Sequence, residues 1–74
     1  MTREWIIKWF DDRGISVENE SENIIEAGYI DSFVFIELIE CIESEFKISF
    51  REKDFEDARM FSVGGLIELT GEMK

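Results

Sequence analysis

The chain has 74 residues, no histidine, no proline and one cysteine, and its 18 Asp and Glu against 8 Lys and Arg leave a formal charge of -10 at pH 7. This length suits a single domain over residues 1–74 with a thin core that leans on aromatic side chains. The charge argues against nucleic acid as a partner and suits basic proteins met by electrostatic steering, and a lone Cys41 excludes an internal disulfide or a zinc pattern and fits a reducing, cytoplasmic setting.

The opening residues show no basic region followed by a long apolar run, so neither a signal peptide nor a membrane span is expected. A first helix is expected from Thr2 or Arg3 to Arg13. Thr2 suits its cap, Glu4 its positive end and Gly14 its stop, while Trp5, Ile6, Trp9 and Phe10 form the apolar stripe. Ile15 to Asp31 reads as a long connection rich in Glu, Ser and Asn, in which Ile24 and Ile25 can supply a short turn. A second helix is expected from about Ser32 to about Phe46. At about 100° per residue, Phe35, Leu38, Ile39, Ile42 and Phe46 share one face. Phe33, Glu37, Glu40 and Ser44 lie opposite, with Val34 and Cys41 at the flank. Ile48 and Phe50 pin a loop, and a brief helical turn is expected around Asp54 to Ala58. The last helix begins after Ser62, a good N-cap, and turns Val63, Leu66, Ile67 and Leu69 or Thr70 inward. Gly64 and Gly65 weaken that helix and permit close approach of another helix. The sum is an all-α fold: a small antiparallel bundle of three main helices plus one short helix, with a long loop between the first two.

Asp31-Ser32 at a helix start is first of all a cap, because either side chain can accept from backbone N–H groups that lack an intrahelical partner. A serine hydrolase fails at once: there is no histidine base, and no glycine-flanked nucleophile turn surrounds Ser32. The environment points elsewhere. Phe33 follows the serine on the solvent side, with Val34 next to it and Glu37, Glu40 and Glu43 further along. Two readings stand open on the residues alone: Phe33 folds back on Tyr29 or Ile30 and shields the loop, or these apolar groups beside carboxylates on one helix face form a docking surface, whose composition they have. Cys41 reads as a passive small residue, since nothing near it in sequence lowers a thiol pKa. A calcium-binding protein also fits the acidity, yet no segment has the alternating ligands and central glycine of an EF-hand loop.

The segment AGYIDSFVFIELIECIESEFKISF, Ala27 to Phe50, resembles the centre of the acyl carrier protein family, which includes peptidyl and D-alanyl carriers. In that family a glycine, a short spacer and Asp-Ser-Leu open the second helix, and an acidic amphipathic helix runs to Glu-Glu-Phe and an Ile-containing loop. Gly28, Asp31, Ser32, Glu37, Leu38, Glu43, Glu45, Phe46 and Ile48 match in type and spacing. The resemblance covers the chain in layout and is close in residues over Ala27 to Phe50. Phe33 stands in place of the usual leucine, Val34 in place of an acidic residue, and Glu40 where an apolar one is common. These departures point away from the housekeeping fatty acid carrier and toward a stand-alone carrier of a specialised pathway.

The resemblance implies that the chain is not an enzyme. Ser32 is implied as the attachment point of 4'-phosphopantetheine, placed there from coenzyme A by a magnesium-dependent phosphopantetheinyl transferase. The arm's thiol then holds acyl or aminoacyl groups as thioesters, in fatty acid, polyketide or nonribosomal peptide biosynthesis. Asp31 is implied as a cap or recognition residue. Phe33, Val34, Glu37, Glu40, Cys41, Glu43 and Ser44 become the side that meets acyl- or aminoacyl-activating and transferring enzymes with basic surfaces. A monomer is expected. The alternative is a small acidic helical interaction module without a prosthetic group, in which Asp31-Ser32 only caps the helix.

Overall fold

The computed structural model describes residues 2–73. It contains the three α-helices α1 (Thr2–Asp12), α2 (Ser32–Phe46) and α3 (Val63–Met73), with two 3-10 segments, Glu52–Glu56 and Ala58–Phe61, before α3. There is no β-strand among the described residues. No helix there is long and apolar enough to cross a membrane.

Thr2, expected as the cap of α1, is itself a residue of the helix. Its end is set by Gly14, whose φ of 73° is readily available only to a residue without Cβ. The Gly14 N–H donates to Asp11 O at 2.9 Å and the Ile15 N–H donates to Phe10 O at 2.9 Å. That pair of bonds is a Schellman motif, with Ile15 packed back on the core. Helix α2 ends in a similar way at Lys47, which adopts φ 56° without being glycine, and Ile48 N–H donates to Glu43 O at 3.2 Å.

The core is built by Ile6, Trp9 and Phe10 of α1, Phe35, Leu38, Ile39 and Ile42 of α2, and Val63, Leu66 and Leu69 of α3. Ile24, Ile30, Phe50 and Met60 seal it from the connecting segments. Trp9 is buried, with the Arg13 guanidinium 3.6 Å above its ring, so it serves as core. Phe35 stacks on Phe61 at a centroid distance of 5.2 Å, and Trp5 meets Phe46 edge-on at 5.5 Å. Phe46 and Ile67, expected to point inward, are only half-buried at the rim of this core. Thr70 carries its hydroxyl into the core without a hydrogen-bond partner.

The single short helix expected around Asp54 to Ala58 is instead the two 3-10 segments, divided at Asp57. Asp57 Oδ1 accepts from Arg59 N–H at 2.9 Å and so starts a new turn. Helix α3 follows, capped as expected: Ser62 Oγ accepts from Gly65 N–H at 3.0 Å. Gly65 presses on the Arg59 backbone, where an added Cβ would lie 2.1 Å from the carbonyl oxygen. Gly64 lies against Glu20 of the long connection and donates its N–H to Glu20 O at 2.9 Å. The glycine pair therefore brings α3 close to a 3-10 segment and to a loop rather than to another α-helix. A radius of gyration of 11.2 Å is what a chain of this length reaches when fully collapsed, about 11 Å.

Candidate functional site at the start of the second helix

The long connection is held firmly before it reaches α2. Asn23 Oδ1 accepts from the N–H groups of Ile25 and Glu26, each at 2.9 Å, which closes a turn around the buried Ile24. Ile24 O accepts from Tyr29 N–H at 3.1 Å and from Ile30 N–H at 3.3 Å, with Gly28 at φ 84° making the reversal. Ile24 N–H in turn donates to Phe61 O at 2.8 Å, which ties the turn to the segment before α3. The Ile24–Ile25 turn expected from the sequence is therefore present, and it delivers Asp31 to a fixed place.

Asp31 is extended, at φ -95° and ψ 177°, and its Oδ1 accepts from Val34 N–H at 2.8 Å. Asp31 is thus the N-cap. Ser32 is the first helical residue, exposed, and no hydrogen bond among the described residues engages its hydroxyl. The N–H groups of Ser32 and Phe33 belong to the set that a helix leaves without internal partners. No carboxylate stands in the first turn of α2. A shallow depression lined by Ile25, Gly28, Tyr29, Ile30 and Val34 opens beside Asp31 and Ser32.

Phe33 is 84% exposed, and Ile36 beside it is 58% exposed. With Val34, Glu37 and Glu40 they line one surface groove. Ile36 was not singled out from the sequence, although the same helical spacing places it three residues from Phe33 and four from Glu40, on this face. The remaining residues of the expected partner-facing set divide. Glu40 and Ser44 are exposed, while Val34 and Cys41 are half-buried and pack on the core. Glu37 lies 3.6 Å from Arg13. Glu43 is half-buried and one of its oxygens accepts from Phe50 N–H at 2.8 Å, so it fastens the loop after α2.

Elsewhere the charges form structural pairs. Arg3 and Glu20 join α1 to the long connection, and hydrogen bonding to Arg3 is the main reason the Glu20 carboxyl sits below the ordinary range, against a smaller opposing effect of burial. Arg59 holds Asp57, Glu68 and Glu72 together, and its hydrogen bonds lower the Asp57 carboxyl in the same way. Among the described residues no group of three or more carboxylates or thiols converges as a cation site. No protein-family model matches the chain, and neither a curated protein nor a solved structure matches it.

Proposed function

We propose that this protein is a carrier of the acyl carrier type, a monomeric cytoplasmic bundle with antiparallel helices, modified on Ser32 with 4'-phosphopantetheine. The observation that carries the reading is the division of work between two neighbouring residues. Asp31 makes the capping hydrogen bond, which leaves the Ser32 hydroxyl exposed and without a structural task.

The surroundings fit a phosphodiester at that position. The free N–H groups and the positive end of α2 favour a phosphate, and the nearest carboxylate, Asp31, is occupied with Val34 N–H. In the modification Ser32 Oγ attacks the phosphorus next to the pantetheine of coenzyme A. An O–P bond forms, the nucleotide half departs with the broken pyrophosphate bond, and the hydroxyl proton passes to a base on the transferase. Ser32 needs no base of its own, consistent with a chain that lacks histidine. When bound, the group supplies a thiol that holds acyl or aminoacyl cargo as a thioester.

In this reading Phe33 and Ile36 enter an apolar pocket on each visiting enzyme, Glu40 faces its Arg and Lys, and Glu37 joins them by exchanging its Arg13 pairing for one with the partner. Contacts of this kind are weak and salt-sensitive, as a carrier that must leave each partner requires. The same exposed pair, Phe33 and Ile36, also favours a second reading, an interaction module without a prosthetic group.

One experiment separates the two. The protein is incubated with coenzyme A, magnesium and several broad-specificity phosphopantetheinyl transferases, and its intact mass is measured. A gain of one phosphopantetheine that is absent in Ser32→Ala supports the carrier. An unchanged mass with every transferase, in a protein that is folded by circular dichroism, rejects it in favour of the interaction module.

A further inference from the structure

The cations of this acidic chain are unevenly employed. Arg3 pairs with Glu20, Lys8 with Asp12, Arg13 with Glu37, and Arg59 with Asp57, Glu68 and Glu72. Lys47, Arg51 and Lys53 are exposed and join no ion pair among the described residues, and all three line one open groove past the C-terminal end of α2. The groove measures about 450 Å³. Its apolar lining is Ile48 and Met73, both half-buried against the core. Its one carboxylate, Asp54, accepts from Arg51 N–H at 2.7 Å. Cations thus prevail here, in a chain where acids outnumber bases 18 to 8. The negative end of α2 accounts for a cation at Lys47. It does not account for Arg51 and Lys53, which lie beyond the turn and outside the last turn of the helix.

We propose that this groove docks an acidic peptide segment of a partner protein, bound extended, with carboxylates alternating with apolar residues. An extended chain turns successive side chains to opposite sides. Alternation therefore offers apolar side chains for Ile48 and Met73 and carboxylates for the three cations along one short segment. Charge complementarity selects this occupant, because exposed Lys and Arg around an apolar strip match neither a basic nor a purely apolar ligand. Helix α2 is 15 residues long, so about 22 Å of helix separates the groove from Ser32. A partner held at this end leaves the serine end free. The proposal stands on the groove alone and does not depend on modification of Ser32.

The test uses the unmodified full chain and a fluorescein-labelled peptide of about ten residues with alternating Glu and Leu, read by anisotropy. Saturable binding is expected, lost on raising salt to about 0.5 M and absent for a Lys-Leu peptide. The variant with Lys47→Gln, Arg51→Gln and Lys53→Gln together is expected to bind at least about tenfold more weakly. Should that variant unfold by circular dichroism, Arg51→Gln and Lys53→Gln singly carry the test, each weakening binding about threefold. No saturable binding overturns the proposal, as does unchanged binding by the folded triple variant. Tighter binding of tripolyphosphate than of the peptide also overturns it, by assigning the groove to a phosphate ligand. So does concentration-dependent self-association in sedimentation that the triple variant loses, which assigns the groove to the acidic α2 face of a second copy.

Discussion

Replacing Asp31 and Ser32 separately by alanine tests which of them holds the start of α2. Asp31→Ala removes the 2.8 Å bond to Val34 N–H. Loss of such a cap costs about 0.5–2 kcal/mol, and loss of a carboxylate at the positive helix end adds about 0.3–1 kcal/mol. A total near 1.5 kcal/mol, at about 4–8 °C per kcal/mol for a domain of this size, lowers Tm by about 6–12 °C. Ser32→Ala removes an exposed hydroxyl with no partner. Alanine is the better helix former, so the change is expected to stay within about 0.5 kcal/mol, or about 3 °C. Asp31→Asn keeps an acceptor oxygen and is expected to recover most of the loss. Thermal and urea melts followed by far-ultraviolet circular dichroism measure all three. If Ser32→Ala lowers Tm as much as Asp31→Ala does, the serine is a structural cap. The observation that favours it as an attachment point is then gone.

Three further outcomes follow from the packing and the charges. Gly65→Ala would set a methyl 2.1 Å from Arg59 O and 2.5 Å from its Cα. That overpacking against backbone is expected to cost about 3 kcal/mol or to abolish a cooperative melt, whereas Gly71→Ala, with open space around it, gains about 0.5–1 kcal/mol. Thr70→Val exchanges a buried hydroxyl without a partner for a methyl and is expected to raise stability by about 1 kcal/mol in urea titrations. Glu20 and Asp57 have folded-state pKa values below their ordinary 4.5 and 3.8. The unfolded chain therefore binds more protons than the folded one in that range. Their contribution is present above those ordinary values and is lost as pH falls through the lower folded ones. Acidification also relieves the repulsion of a -10 chain, which acts in the opposite sense. The readout is thus a difference: Glu20→Gln should show a shallower loss of the urea midpoint than wild type below about pH 4.5.

What could be read from the residues was what depends on local spacing. The bounds of α2 and the burial of Phe35, Leu38, Ile39 and Ile42 follow from a 3.6-residue period, and Gly14 and Ser62 end and start helices by chemistry that operates within four residues. What escaped depends on contacts distant in the chain or on a choice between close alternatives. A run from Glu52 to Phe61 suits one short helix or two 3-10 turns, and the Asp57–Arg59 bond decides between them. Glu43 has the spacing of a surface carboxylate, yet the loop after α2 returns Phe50 N–H to it. The gathering of Lys47, Arg51 and Lys53 on one groove needs the turn at Lys47 and the return of α3, which brings Met73 there.

Asp-Ser in sequence leaves open which residue caps and which is free, and the two cases differ by one position of the helix start. With Asp31 extended, its side chain reaches Val34 N–H, and Ser32 falls at the first helical position. A helix beginning one residue later would give the cap to Ser32 and bury its hydroxyl in a backbone bond. Just before the pair, the connection is tied down by the Ile24 N–H bond to Phe61 O and by the bonds of Tyr29 and Ile30 N–H to Ile24 O. Loosening the turn around Ile24, for example by Asn23→Ala, removes the acceptor of two N–H groups. Under the proposed function this alters access to Ser32 without touching the helix. The long connection is in this sense a positioning element for the serine.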